Sequence, residues 1–220
     1  MAGLMIWEDL FKKSLTLIDE IETHGTKNLY WTFGGGTVLM RRYQHRFSKD
    51  IDIFVPDPQA LKYVTPRLSD QAESITTEYT EADNYVKLFL SNGEIDFVAS
   101  PNLTDSPFVF EEIFGRQVRV ETSAEIIAKK FFHRGDRLQA RDMFDFALVA
   151  EKEPVGLLAA SKFLVRHAKT INTILNGDTS FLRKQFNAID TIDYKPTFDY
   201  VRELVLGQLV ECANYLEANQ

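Results

Sequence analysis

The chain has one cysteine, a shortage of positive charge and no long apolar run. Cys212 alone excludes an internal disulfide and a zinc site built from cysteines. Lysine and arginine total 25 against 32 aspartates and glutamates, so the net charge is −7. Bulk positive charge therefore does not hold this protein on nucleic acid, although a local basic patch fits within the count. No uninterrupted apolar stretch is long enough to cross a bilayer, and no signal peptide opens the sequence, so we expect a cytoplasmic protein with no membrane partner. Repeats and low-complexity tracts are absent, and the histidines at 24, 45, 133 and 167 lack metal-ligand spacing.

What is present suffices for a packed core. The 220 residues are 45% hydrophobic and include seventeen phenylalanines and eight tyrosines. Residues 7–23 (WEDLFKKSLTLIDEIET) carry Leu10, Phe11, Leu15, Leu17, Ile18 and Ile21 at the spacing of an amphipathic helix. NLYWTF reads as a short buried strand, TVLMRRYQ as a helix and DIDIFV as a strand stopped by Pro56 and Pro58. QALKYVTPRLSDQ reads as helical, interrupted by Pro66. Strands are expected in SITTEYTEA, NYVKLFLS, EIDFVAS and RQVRVET, with a turn at Ser91-Asn92-Gly93. From Ser123 the chain reads as helical, in AEIIAKKFF, RDMFDFALVAE, GLLAASKFLVRHAKTINTIL and FDYVRELVLGQLVECANYL. The plan is an α+β protein: an α/β domain over 1–121 and a helical domain over 122–220.

Two features carry chemistry. Asp50 and Asp52 flank one isoleucine, so on a strand both leave from one face while Ile51, Ile53 and Val55 enter the core. Paired carboxylates repel unless a cation compensates, and a hard divalent ion with oxygen ligands does so. In EIDFVAS, Asp96 stands between Ile95 and Phe97 in the same alternation, with Glu94 as the fallback on its face. Three carboxylates on neighbouring strands suit phosphoryl transfer assisted by metal ions. Acids on a strand face are nevertheless most often merely solvated. The second feature is Gly34-Gly35-Gly36 between strand and helix, where backbone N–H groups and absent Cβ atoms favour an approaching phosphate. Thr37 adds a hydroxyl there or caps the helix. Taken alone, GGGT is as readily a tight turn, and it is neither a Walker A loop nor a GxGxxG fingerprint.

Gly36-Thr37, twelve intervening residues (38–49), Asp50-Ile51-Asp52 and a later Asp96 together resemble the polymerase-β-like nucleotidyltransferase superfamily. The fuller string GGTVLMRRYQHRFSKDID resembles the AbiEii/AbiGii abortive-infection toxin family, matching at Gly35, Gly36, Thr37, Leu39, Arg46, Ser48, Asp50, Ile51 and Asp52. EIIAKKFFHRGDRLQARDMFDFA supplies that family's lysine, arginine and RD-hydrophobic-aromatic-D pattern at Lys130 (Lys129 being the alternative register), Arg134, Arg141, Asp142 and Asp145.

The resemblance implies a nucleotidyltransferase-type mixed sheet with flanking helices, and transfer of a nucleoside monophosphate from an NTP with release of pyrophosphate. It assigns Mg2+ or Mn2+ to Asp50, Asp52 and Asp96, and the triphosphate to Gly35, Gly36 and Thr37. Arg46 and Ser48 orient the loop or touch phosphate, with simple loop packing an equal reading. Lys130 neutralises charge, and Arg134, Arg141, Asp142 and Asp145 support it, although the bland reading of this basic segment is a solvated face. The implied partners are an NTP, an acceptor such as tRNA or protein, and a cognate antitoxin. The rival readings are a small-molecule, drug-modifying nucleotidyltransferase and a non-catalytic binding module of the same fold.

Overall fold

The computed structural model describes residues 6–219, and it forms two compact units. One comprises the chain up to Arg41 with Phe47–Asn102 and Phe108–Glu121; the other comprises Arg42–Arg46, Leu103–Pro107 and the chain from Thr122 onward.

The first unit is a seven-stranded mixed sheet in the order β3-β4-β5-β2-β1-β7-β6. Its strands are β1 (Thr32–Gly34), β2 (Ile51–Val55), β3 (Tyr79–Ala82), β4 (Tyr85–Leu90), β5 (Gly93–Ala99), β6 (Phe108–Ile113) and β7 (Arg116–Glu121). β2 runs parallel to β5 and antiparallel to β1, while β1 runs parallel to β7. Register lines up Val120, Phe33, Ile53, Phe97 and Val86 across five strands on one face, all of them buried. Helix α1 (Ile6–His24) packs on β2 and β5, and Phe11 meets Phe33 at a ring distance of 4.5 Å. Each large side chain removed from water in this way contributes about 1.5–3 kcal/mol.

The opposite face carries a polar row, because a strand alternates its side chains. Gly34, Asp52, Asp96 and Lys87 are cross-strand neighbours on β1, β2, β5 and β4. Glu121 follows Val120 on β7 as Gly34 follows Phe33 on the parallel β1, which places it in the same row. The turn at Ser91-Asn92 links β4 to β5, with Leu90 opposite Gly93.

Four segments of this unit depart from the sequence reading. QALKYVTPRLSDQ is split into a 3-10 turn, Pro58–Tyr63, and a separate helix α3 (Asp70–Ile75) capped by Ser69. The start of SITTEYTEA belongs to α3, so β3 is only four residues long. FVFEEI forms β6, which shows no apolar alternation; three of its six residues are exposed, two half-exposed and only Ile113 buried. Short helix α2 (Gly35–Tyr43) begins at the second glycine, two residues earlier than the apolar pattern predicts.

The second unit is helical. Thr122 caps α4 (Ser123–Arg134), which stops at a 3-10 turn, Gly135–Arg137, before α5 (Ala140–Lys152). Gly135 lies so close to His167 that a Cβ would stand 2.7 Å from the imidazole ring. The 156–175 stretch, expected as one helix, is three pieces: α6 (Pro154–Leu158), α7 (Ser161–Leu164) and α8 (Ala168–Asn176). α9 (Ser180–Asn187) and α10 (Phe198–Ala218) complete it, and Phe186 packs between Phe144 and Phe198. No described helix is long and apolar enough to cross a membrane.

Candidate active site

The three glycines form a corner from β1 into α2. Gly35 has φ +73°, a conformation that glycine adopts without the Cβ clash other residues meet. A Cβ on Gly35 would stand 1.9 Å from Asp52 Oδ2, and one on Gly34 would stand 2.1 Å from Glu121 Oε2. Two carboxylates therefore press against two glycines, which is why side-chain-free residues are required here. Gly35 and Gly36 lie in the first turn of α2, where backbone N–H groups lack partners within the helix. Thr37 is fully buried; its hydroxyl donates to the Asp50 carbonyl at 2.6 Å and bonds Ser48 Oγ at 3.1 Å. Thr37 and Ser48 thus tie the glycine corner to the start of the acidic strand.

Asp52 on β2 and Asp96 on β5 are register partners, so their side chains stand side by side on the polar face. Asp50 lies one residue before β2, and its Oδ1 accepts the Glu94 backbone N–H at 3.1 Å. Lys87 reaches from β4 to Glu94 Oε2 at 2.6 Å and Asp96 Oδ2 at 2.9 Å. Among the described residues, Asp96 Oδ1 is buried without a hydrogen-bond partner. Burial, then the charge of Asp52, raises the pKa of Asp96 from the usual carboxylate range to about 7, against the opposing pull of Lys87. Burial depresses Lys87, but Glu94 and Asp96 outweigh it and push its pKa up to about 12.

This donor set fits a hard divalent cation. Its ligands are carboxylate oxygens, one of them buried and unpartnered, and mutual repulsion between Asp52 and Asp96 is what a cation relieves. Among the described residues, no group of three or more His, Cys, Asp or Glu side chains is placed to hold a metal ion by itself.

Of the remaining expected residues, Arg46, Lys130, Arg134, Asp142 and Asp145 gather within the helical unit. Asp145 is fully buried and receives Arg46 in a bidentate pair, Nε at 2.6 Å and Nη2 at 2.7 Å. His45 Nε2 lies 2.8 Å from Asp145 Oδ1, and Lys130 Nζ lies 3.1 Å from Oδ2. Lys130 also donates to Asp142 at 2.8 Å, and Arg134 joins Asp142 at 3.3 Å. Burial alone would raise Asp145, but Arg46 and Lys130 overcome it and hold the carboxyl well below its ordinary value. Burial lowers the pKa of His45, which favours the neutral ring beside these cations. Lys129, the alternative register, pairs with buried Glu125 at 3.4 Å. Arg141 is exposed on α5, apart from this cluster.

Sequence reasoning missed Lys87, Glu121 and His45. The alternation in NYVKLFLS puts Lys87 out of phase with Val86 and Leu88, a signal of its face but not of its partners. Glu121 is fully buried, with Thr32 Oγ1 donating to it at 2.7 Å, and nothing local distinguishes it from an exposed strand acid. His45 meets Asp145 across a hundred residues of sequence, beyond the reach of any spacing argument.

The same architecture occurs in solved structures. JHP933 from Helicobacter pylori matches with a TM-score of 0.55 at 15% identity, over 97% of this chain and 94% of that one. MenT4, a nucleotidyltransferase toxin from Mycobacterium tuberculosis, matches with a TM-score of 0.56 at 14% identity, over 97% and 86%. The antibiotic-resistance factor ANT(2'')-Ia matches with a TM-score of 0.51 at 18% identity, over 73% and 92%. At these identities the likeness establishes the fold. A search of the curated proteins found no match. The family model described as nucleotidyl transferase AbiEii toxin, type IV toxin–antitoxin system, matches residues 18–206. With that match over most of its length, the chain belongs to the AbiEii family of nucleotidyltransferase toxins.

Proposed function

We propose that the chain transfers a nucleoside monophosphate from an NTP to an acceptor in a reaction that depends on a divalent cation, as the toxin of a toxin–antitoxin or abortive-infection system. The observation that carries this reading is the register of β2 and β5, which sets Asp52 beside Asp96 directly across from the glycine corner. Asp52 and Asp96, with Asp50 adjacent, would hold Mg2+ or Mn2+. When bound, the cation supplies charge neutralisation for phosphate oxygens and a Lewis acid for the transferring phosphoryl group. The chain's own contribution is positional. Thr37 and Ser48 fix the distance between the glycine corner and Asp50, while Gly35 and Gly36 offer backbone N–H groups to the triphosphate.

Incubating the protein with each labelled NTP, Mg2+ and total RNA tests the acceptor. Labelled tRNA supports a nucleic-acid acceptor, and label on the protein itself supports a protein acceptor. Label on an added aminoglycoside alone would sustain the drug-modifying alternative. Asp50→Ala and Asp52→Ala should abolish Mg2+–NTP binding in calorimetry, and unchanged binding in both variants refutes the site.

A further inference from the structure

We infer that Lys87 is a positioning residue for the cation site: it holds one oxygen of Asp96 so that the other is presented to the ion. The inference rests on reading Asp52 and Asp96 as cation ligands, and deepens it by assigning a residue that no motif marks. Three observations converge on Lys87. Register makes it the direct cross-strand partner of Asp96, in the row that continues to Asp52. Its ammonium divides between Asp96 Oδ2 at 2.9 Å and Glu94 Oε2 at 2.6 Å. Asp96 Oδ1 is left buried with no hydrogen-bond partner.

The two oxygens of Asp96 therefore have different environments. Oδ2 is held by its ion pair with the Lys87 ammonium, which sets the carboxylate plane, and Oδ1 is left to ligate. A ligating carboxylate is commonly oriented by a hydrogen bond to its non-ligating oxygen, and removing that partner weakens metal binding. The same ammonium engages Glu94, the other acid on this strand face. It keeps Glu94 paired with β4 and leaves Asp96 as the ligand. Lys87 thus selects between two candidate carboxylates as well as orienting one.

The test measures Mn2+ binding to the full chain by the paramagnetic signal of the free ion, with no nucleotide required. Lys87→Met should weaken Mn2+ binding by about 10–100-fold, and Lys87→Arg, which keeps two donors and the charge, should recover most of that loss. Lys87 is 29% exposed, so thermal unfolding in a chelator should show both variants folded. Glu94→Gln should change Mn2+ affinity far less than Asp96→Asn. Equal or tighter Mn2+ binding by Lys87→Met overturns the inference, since a lysine that only competes with the ion gives that result. A Glu94→Gln loss as large as that of Asp96→Asn overturns it as well. If Asp52→Asn binds Mn2+ as the unmodified protein does, or if the unmodified protein binds none, the cation site itself is wrong. An unchanged Lys87→Met beside a defective Asp52→Asn removes only the role of Lys87.

Discussion

At the scale of single residues, two glycines with nearly the same backbone angle separate function from folding. Gly35 has φ +73° and faces Asp52; Gly115 has φ +76°, sits in the β6–β7 turn and has open space where a Cβ would go. Alanine at either position meets the left-handed penalty of about 1–2 kcal/mol. Only Gly35→Ala also drives a methyl group into the carboxylate of Asp52. We expect Gly115→Ala to lose only the left-handed penalty in urea, Gly35→Ala to lose more than that, and Gly35→Ala alone to lose NTP binding. Equal NTP binding by the two variants would show that the glycine corner is only a turn. This contrast explains why GGGT was legible in the sequence as a place where something comes close, while the approaching group was not. The sequence suggests a phosphate; the structure adds that Asp52 and Glu121 already press against that backbone. The partner of Gly34 lies on β7, far along the chain, so no local pattern marks it.

At the scale of elements, the strands that build the site could be read because they bury one face. Ile51, Ile53, Ile95 and Phe97 alternate with acids, and the parallel register of β2 and β5 turns that alternation into a shared row. β6 was not legible because both of its faces are partly wet, which removes the alternation. The helical unit shows the opposite case. Its RDMFDF motif was visible, yet the partners of Asp145 were not, since Arg46 arrives from 99 residues away. Asp145 is fully buried and holds Arg46, Lys130 and His45 together, joining α4, α5 and the segment after α2. Asp145→Asn leaves two buried cations without their shared counter-charge, and loss of one partner of a buried pair costs about 3–5 kcal/mol. Denaturant unfolding of the helical unit should report a loss of that size. A change below about 1 kcal/mol, the value of an exposed pair, would show that the cluster is not closed from water.

At the scale of the whole molecule, an acidic chain of net charge −7 concentrates carboxylates on one sheet face, and its stability should record that arrangement as a pH dependence. Asp96 titrates at about 7 in the folded protein, pushed up by burial and Asp52 and held back by Lys87, with Glu94 adding a smaller repulsion. In the unfolded chain the group returns to the ordinary carboxylate value of 3.8. The folded state therefore binds the proton more tightly. Its contribution to stability is complete below the unfolded value and is lost as pH rises through about 7. Asp145 works in the opposite sense, since its folded pKa is depressed and its contribution disappears only in strong acid. Between pH 5 and 8 the Asp96 contribution stands apart from that of Asp145, although burial also lowers His45 and His133, whose contributions fall as pH drops through their unfolded value of 6.5. In chelator, the melting temperature of the unmodified protein should decline from pH 5 to pH 8 relative to Asp96→Asn, a comparison that cancels the histidine effects. Added Mg2+ binds the deprotonated form, so it should raise the melting temperature more at pH 8 than at pH 5 and leave Asp96→Asn unmoved. A Mg2+ effect that is the same at both pH values, or that survives in Asp96→Asn, places the ion elsewhere. The measurement needs neither the NTP nor the acceptor, so it probes the acidic face before the substrates are identified.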